Sequence, residues 1–413
     1  MSSNGKKAYV AMSGGVDSSV AALLLRDAGY DVTGVFMRCY NLDGCAERDA
    51  TDARRVAAHL NIPFYVFNFE KEYKQRVVEY MVEGYKRGIT PNPDVMCNKE
   101  IKFGLFLEKA LSLGADYVAT GHYVKLRRHS LSRTGRSSAP AAEADLRSRS
   151  RGSFGDQARE SSESFSQENA GLLNLFEAKD KNKDQSYFLW TLVQDQLKHC
   201  LFPIGDYLKS EVREMARRAG LPTAEKKDSQ GICFLGKVSL RDFLKKRIPA
   251  EKGKVLTTAG EKVGEHDGAG FYTIGQRHIG ISNYKSRIGG RHETKPHYVA
   301  AKDVKTNTVV VAEGSDNPAL YKGEVDLAHV SFINPDFPGT ICPSILLGIS
   351  GANWRKDVLV RVRYRQPPAE ARIMSNESGI KLTFKEPQKF VAPGQSAVFY
   401  SEEGELLGGG VII

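Results

Sequence analysis

No two of the six cysteines in this 413-residue chain (Cys39, Cys45, Cys97, Cys200, Cys233 and Cys342) stand in a C-x-x-C pair. That scatter excludes a dense disulfide framework and points to a reducing compartment. Metal-ligand spacing is missing too, so no resident metal centre is expected. No apolar run approaches the roughly 20 residues needed to cross a bilayer, which excludes a spanning helix and leaves no membrane partner to expect. Met1 to Lys7 offer neither an apolar signal core nor room for an arginine-rich presequence before the first strand. No internal repeat is apparent. Acidic residues are the minority among charges, 49 against 59 Lys and Arg, for a net charge of +10. This excess favours a polyanionic partner, because cations that neutralise phosphates release counterions; a basic enzyme of small metabolites is the alternative.

The chain is too long for one compact core and divides most naturally into two or three domains. From Lys6 to about His122, strand-like runs (Ala8–Met12, Asp31–Arg38, Pro63–Phe69, Tyr117–Thr120) alternate with helix-like ones (Ser18–Ala28, Asp49–Leu60, Tyr73–Lys86, Glu100–Leu113). Such alternation predicts an α/β fold on a doubly wound parallel sheet, with ligands at the carboxyl ends of the strands. Residues 127–171 are rich in Ser, Arg, Glu and Ala with almost no large apolar side chains, and read as a disordered insertion. A helix over Lys209–Ala219 stops at Gly220 and Pro222. Beyond about Arg241, short β-rich runs between Gly turns predict a small central β-rich domain followed by a C-terminal β-barrel. The expected domains are 1–240, 241–312 and 313–413.

Ser13-Gly14-Gly15-Val16-Asp17-Ser18-Ser19 sits between the first strand and the first helix. A glycine pair at such a junction lets several amide N–H groups point at one anion, and the following helix adds the positive end of its dipole. Walker and Rossmann loops need other spacings, which are absent. The pattern S-G-G-x-D-S resembles the PP-loop of ATP pyrophosphatases, which split ATP into AMP and pyrophosphate and activate an oxygen by adenylylation.

Two cysteines stand out by their neighbours. Cys97 ends Thr90-Pro91-Asn92-Pro93-Asp94-Val95-Met96-Cys97, a Pro-rigid loop leading into a basic helix start with Lys99 and Lys102. A thiol near a helix start and two lysines is expected to have a lowered pKa and to be part thiolate at neutral pH. Asp94 is placed to exchange a proton with it or with a substrate. Cys233 follows Lys226-Lys227 within Asp228-Ser229-Gln230-Gly231-Ile232-Cys233. Cys39, Cys45, Cys200 and Cys342 read as small apolar filler.

With these motifs, the chain resembles the tRNA-specific 2-thiouridylase family of bacteria and mitochondria. The matching blocks include Ser13–Ser19, Thr90–Phe103, Ala119–Tyr123, Lys183–Phe188, Lys226–Phe234, Arg363–Gln366 and Pro393–Tyr400, and they cover nearly the whole length apart from the insertion. The resemblance implies a PP-loop catalytic domain of the adenine nucleotide alpha hydrolase-like type and a barrel that helps clamp tRNA. It implies that Ala11, Met12, Ser13, Gly14, Gly15, Val16, Asp17 and Ser18 cradle ATP phosphates. Met37 would pack near adenine, and Gly121 would let the backbone approach the nucleotide. Cys97 is the implied nucleophile, Cys233 the carrier of incoming sulfur as a persulfide, and Asp94 the general acid/base. Asn92, Pro93 and Asp94 would surround the target uracil. His122, Lys183, Asp184, Gln185, Arg363, Tyr364 and Gln395 match tRNA-contacting positions; for Arg363 and Tyr364 an ordinary exposed strand is the other reading.

Asp17 has two readings, helping to hold Mg²⁺ or capping the first helix. Sulfur has two routes to C2 of the uracil: direct attack by the persulfide, or hydrosulfide released as a Cys97–Cys233 disulfide forms. A protein sulfur donor, either a sulfur-relay protein or a cysteine desulfurase, is implied as partner, along with ATP, Mg²⁺ and a monomeric state. The Ser/Arg-rich insertion departs from compact bacterial members and suggests a eukaryotic, mitochondrial enzyme; the bacterial cytoplasm is the alternative. Two rival functions share some of these features: a PP-loop amide ligase acting on a small metabolite, and a tRNA-binding protein without catalysis.

Overall fold

Past the exposed Lys7, Ala8 and Val10 of the first strand face one way and Tyr9 and Ala11 the other, so the strand is built to be covered on both sides. It lies in a five-stranded parallel sheet made of β1 (Lys7–Ala11), β2 (Asp31–Arg38), β3 (Phe64–Asn68), β4 (Tyr117–Ala119) and β7 (Cys200–Leu201). The computed structural model describes residues 5–39, 44–128, 171–227, 238–277, 279, 295–335, 337, 354–376 and 379–413. Residues 228–237 with Cys233, the bulk of the expected insertion, Cys342 and the side chain of Cys45 lie outside the described residues.

The strand order is β3-β2-β1-β4-β7. The chain therefore leaves β1 towards one edge and returns to its other side at β4, which makes the carboxyl ends of β1 and β4 the switch point where ligands bind in such sheets. Ala8, Val10 and Met12 face a core shared with helix α1 (Val16–Asp27), helix α2 (Cys45–Leu60) and the Lys209–Arg218 helix. Ala11, Val35 and Val118 face a second core filled by helices over 70–86 and 93–112, with Tyr73, Val77, Met81, Ile101, Phe103 and Phe106. Burying each such aliphatic or aromatic side chain contributes about 1.5–3 kcal/mol. The expected strands and helices are all present, with ends shifted by a few residues except for the helix expected from Glu100, which begins at Pro93.

A four-stranded sheet follows, from β8 (Gly253–Thr257), β9 (Lys262–His266), β10 (His297–Asp303) and β11 (Thr308–Glu313), in the order β10-β11-β8-β9. The last unit is a six-stranded antiparallel barrel of β12 (Tyr321–Phe332), β13 (Trp354–Arg361), β14 (Ala369–Asn376), β15 (Gly379–Lys389), β16 (Ser396–Tyr400) and β17 (Glu405–Ile412), closed by pairing of β12 with β17. One joint between the units was not expected. The strands that flank the insertion, β5 (Val124–Arg128) and β6 (Leu173–Glu177), form a hairpin that extends the barrel sheet, with Leu175 of β6 opposite Leu406 of β17. Among the described residues no helix is long and apolar enough to cross a membrane.

A buried ion-pair network fastens the same joint. Arg361 of β13, only 12% exposed, reaches Asp184 at 3.0 Å and also pairs with Glu177 at the end of β6. Tyr187 donates to the Ser396 carbonyl at 2.9 Å, and Trp190 donates to the Ser396 hydroxyl at 3.1 Å.

Candidate functional site

The loop after β1 is shaped by its own hydroxyls. The Ser13 amide donates to Ser18 Oγ at 3.1 Å, and Ser19 Oγ donates to the Gly15 carbonyl at 2.7 Å. Gly14 has φ +75°, and a Cβ there would meet the Asp49 carbonyl oxygen at 2.3 Å, so no other residue fits. Gly15 occupies the N-cap of α1 with no side-chain acceptor. The first-turn amides of α1 are thus left to an anion, and the helix dipole favours one there. Asp17 is not the cap. Its carboxylate is held by Lys209 Nζ at 2.7 and 2.8 Å and by the Tyr123 hydroxyl at 2.8 Å. Neither partner was singled out from the sequence, because a lysine 192 positions away carries no local signal.

Cys97 is inside a helix rather than in a loop before one. The Asn92 side chain accepts from the Val95 amide at 3.3 Å, and Pro93 takes the first helical position, where its missing N–H costs nothing. The expected start near Glu100 is therefore too late by two turns. The expected lowering of the Cys97 pKa is not met either. Burial pushes the thiol up, Lys102 pulls it down, the Asp94 charge raises it, and a hydrogen bond with Tyr73 lowers it. Burial prevails, and the Cys97 thiol is held above its usual range. Asp94 is held above the usual carboxylate range by burial, offset by Lys102. A carboxyl raised in this way is suited to carrying a proton near neutral pH.

The residues after β4 connect the two halves of the site. Gly121 packs directly on the phosphate loop: a Cβ would meet Ser18 N at 2.6 Å and Asp17 C at 2.8 Å. Its glycine character thus serves contact with the loop itself. Tyr123 reaches Asp17, and the intervening His122 lies 3.4 Å from Lys102 Nζ, whose charge acts on Cys97 and Asp94. Four consecutive residues, Thr120 to Tyr123, therefore touch both the anion-binding loop and the surroundings of the thiol. The segment leading to Cys233 also starts close by. Lys226 bridges Asp49 at 2.7 Å and Asp52 at 2.6 Å on α2, and Thr223 Oγ1 donates to Ser19 Oγ at 3.0 Å. Met37 is half-buried near the carboxyl end of β2, opposite Phe67.

Several residues expected at a tRNA surface make contacts within the protein. His122 and Asp184 are buried, 6% and 4% exposed, and Asp184 is taken up by Arg361, Ser186 and the Ala178 amide. Gln185 and Tyr123 exchange hydrogen bonds, 3.0 Å from the Tyr123 amide and 2.9 Å to its carbonyl. Gln395 donates to the Thr90 carbonyl at 2.8 Å, and the Thr90 amide donates to Pro393 at 2.8 Å, so the barrel holds the loop that caps the Cys97 helix. Arg363, Tyr364 and Lys183 are half-buried and keep some contact with solvent. Tyr364 packs at a tilt against Phe188, with ring centroids 4.5 Å apart, and lies 6.1 Å from Tyr187, whose hydroxyl is bonded by Asn92. Burial lowers the Arg363 pKa, and Tyr187 raises it. Among the described residues no group of three or more His, Cys, Asp or Glu could hold a metal ion.

Comparison with known proteins agrees with this layout. Residues 6–237 match a family described as the tRNA methyl transferase HUP domain, 241–313 its PRC-barrel domain, and 351–412 the aminomethyltransferase beta-barrel domain. The tRNA-specific 2-thiouridylase MnmA of Bacillus licheniformis is 42% identical over 98% of this chain and 94% of its own. That of Streptococcus uberis is 41% identical over the whole of this chain and 96% of its own. Among solved structures, NMN synthetase from Francisella tularensis covers 55% of this chain and 67% of its own at 14% identity, with a TM-score of 0.30, too low to carry an argument. Identity above 40% over the full length, together with an anion loop joined to a thiol by one short segment, places this chain in the tRNA-specific 2-thiouridylase family.

Proposed function

We propose that this protein converts the wobble uridine of tRNA to 2-thiouridine, with ATP activating the base and a protein cysteine persulfide supplying the sulfur. The observation that carries this reading is the Thr120–Tyr123 segment, which fixes the phosphate loop and the Cys97 helix in one site. A uracil C2 carbonyl is a poor electrophile with a poor leaving group. Attack of O2 on the α-phosphorus of ATP releases pyrophosphate into the loop amides and leaves O2 as part of an adenylate. Sulfur then adds at C2, and AMP departs with the original oxygen. Whether the Cys233 persulfide attacks directly or Cys97 first releases hydrosulfide from it, the Cys97 thiolate ends in a disulfide with Cys233, which an external thiol reductant reopens. Asp94 takes up the proton that Cys97 gives.

Magnesium would arrive with ATP, screening the phosphate charge; Asp17 offers one carboxylate, the usual share of protein ligands for a phosphate-bound magnesium. Lys209 now neutralises Asp17 and is placed to turn to phosphate when the nucleotide enters. A charge-assisted hydrogen bond is worth about 1.5–3 kcal/mol, so Lys209→Met is expected to raise the ATP concentration for half-maximal rate by ~10–100-fold. Its affinity for tRNA, measured by filter binding without ATP, is expected to stay unchanged. A target base must leave the anticodon stack to reach Cys97, and the half-buried Arg363 with Tyr364 and Phe188 offers a cation and aromatic faces for that strand. The test is reconstitution of the purified protein with tRNA, Mg-ATP, a persulfide donor and a thiol reductant. Nucleoside mass spectrometry should show 2-thiouridine only when ATP and the persulfide are both present; its absence from the complete mixture would refute the reading.

A further inference from the structure

The helix that carries Cys97 is a π-helix from Cys97 to Leu105, and the Phe106 amide donates to the Ile101 carbonyl five residues back. π-turns of this kind concentrate at functional sites. In an α-helix, residues five apart diverge around the axis; the wider π turn brings them onto one face. Lys102, five residues after Cys97, is thereby turned towards the thiol, and its charge acts on both Cys97 and Asp94. Glu100, the other carboxylate of this stretch, is engaged by Arg76 at 3.2 Å and Lys99 at 3.9 Å.

From across the site, His122 approaches Lys102, with Nε2 3.4 Å from Nζ, while His122 Nδ1 is 2.7 Å from Thr120 Oγ1. An ammonium group only donates, so Nε2 must be the accepting nitrogen, and the ring proton then sits on Nδ1 and is given to Thr120. Phe103 and Phe202 flank the ring at 5.9 and 6.4 Å. Burial, reinforced by the Lys102 charge, keeps His122 well below the usual imidazole range, so it stays neutral at physiological pH.

We propose that His122 and Lys102 are a positioning pair: the neutral imidazole, fixed as one tautomer by Thr120, holds the Lys102 ammonium over the Cys97–Asp94 face, so that Cys97 ionises as its proton passes to Asp94. The inference rests on the reading of Cys97 as the reacting thiol. It gives a buried histidine, grouped by its motif with the tRNA contacts, a task on the thiol instead. The groups facing this centre are Asp94 and Lys102 from its own helix, Tyr73 from the 70–86 helix, and His122 from the segment after β4. The transfer from Cys97 to Asp94 conserves net charge.

Alkylation of Cys97 by iodoacetamide tests the pair without tRNA, ATP or sulfur donor, so its outcome is separate from that of the thiolation reading. The thiolate forms an S–C bond, iodide leaves, and the reaction is followed on the Cys97 peptide by mass spectrometry across pH. Lys102→Met is expected to move the profile up by about one pH unit, a roughly tenfold slower reaction below the midpoint. His122→Ala should shift it in the same direction, while Lys102→Arg and His122→Gln, which keep the cation and the acceptor, should return it towards the parent. Profiles for Lys102→Met and His122→Ala that overlay the parent's, in proteins with unchanged thermal melts, would overturn the proposal. Should those variants fail to fold, ¹⁵N NMR of His122 in the intact protein decides. A neutral ring protonated at Nδ1 between about pH 6 and 8 is expected, and protonation at Nε2 or an imidazolium there would contradict it.

Discussion

Replacing Cys97 with serine is expected to reduce 2-thiouridine formation to background while leaving the protein folded. The side chain is small and buried, and a hydroxyl fills nearly the same space, so the core around Tyr73 and Ile101 has little reason to change. What is lost is chemistry. A serine hydroxyl neither ionises near neutral pH nor displaces sulfur from a persulfide, and it cannot close a disulfide. Cys233→Ser, at a position outside the described residues, should be equally inactive, because the sulfur then has no carrier. Cys200 supplies the comparison. Its Sγ donates to the Gln196 carbonyl at 3.1 Å in the core, a bond that serine can keep, and burial holds its thiol far above the usual range. Cys200→Ser is expected to thiolate tRNA at close to the parent rate. Nucleoside mass spectrometry on tRNA from a deletion strain carrying each variant reads all three. Normal thiolation by Cys97→Ser would remove that residue from the mechanism.

The largest loss of stability is expected from Arg361→Met. Arg361 is the cation shared by Glu177 and Asp184, and its guanidinium lies 5.0 Å from the Tyr400 ring. Removing one partner of a buried ion pair costs about 3–5 kcal/mol, because the other charge remains buried without compensation. The cost should depend on pH. Burial raises the Asp184 pKa in the folded protein, while the Ala178 amide, Ser186 and Arg361 lower it, and Glu177 raises it. A carboxyl with a raised folded pKa burdens the fold when ionised, and this burden fades as pH falls through the folded value towards the unfolded one. Without Arg361 the rise is larger. The gap in melting temperature between parent and Arg361→Met should therefore be widest at neutral pH and narrow on acidification. Thermal melts across that range read it, and a gap that widens towards acid would mean that Asp184 is not the burdened group.

This network also shows why some of the molecule could be read from its sequence and some could not. The sheet was legible because β1, β2 and β4 are short apolar runs bounded by turn residues, and because alternation with helices implies parallel strands. The phosphate loop was legible because Gly14 and Gly15 meet a local steric demand between two adjacent elements. The start of the Cys97 helix is hidden in the sequence. Pro91, Asn92 and Pro93 look like a rigid loop until Asn92 is seen to cap and Pro93 to begin the helix. The thiol's environment is hidden for a related reason: lysines nearby in sequence suggest a lowered pKa, whereas burial by Tyr73 and the rest of the core is not a local property. Lys209 on Asp17, Arg361 on Asp184, and the pairing of β6 with β17 are contacts between distant segments, and single residues of this kind leave no periodic trace. A motif match groups His122, Asp184, Gln185 and Gln395 together. It could not distinguish a side chain that touches substrate from one that holds its neighbour.

The claim at the centre of this account is that the anion loop and Cys97 act on a single base, with O2 of the uracil leaving as part of AMP. A tRNA transcript carrying ¹⁸O at C2 of its uridines, incubated with the protein, Mg-ATP and a persulfide donor, tests this most directly. Mass spectrometry should find one ¹⁸O in AMP for each 2-thiouridine formed and none in pyrophosphate. Label appearing in pyrophosphate or water, with AMP unlabelled, would contradict it.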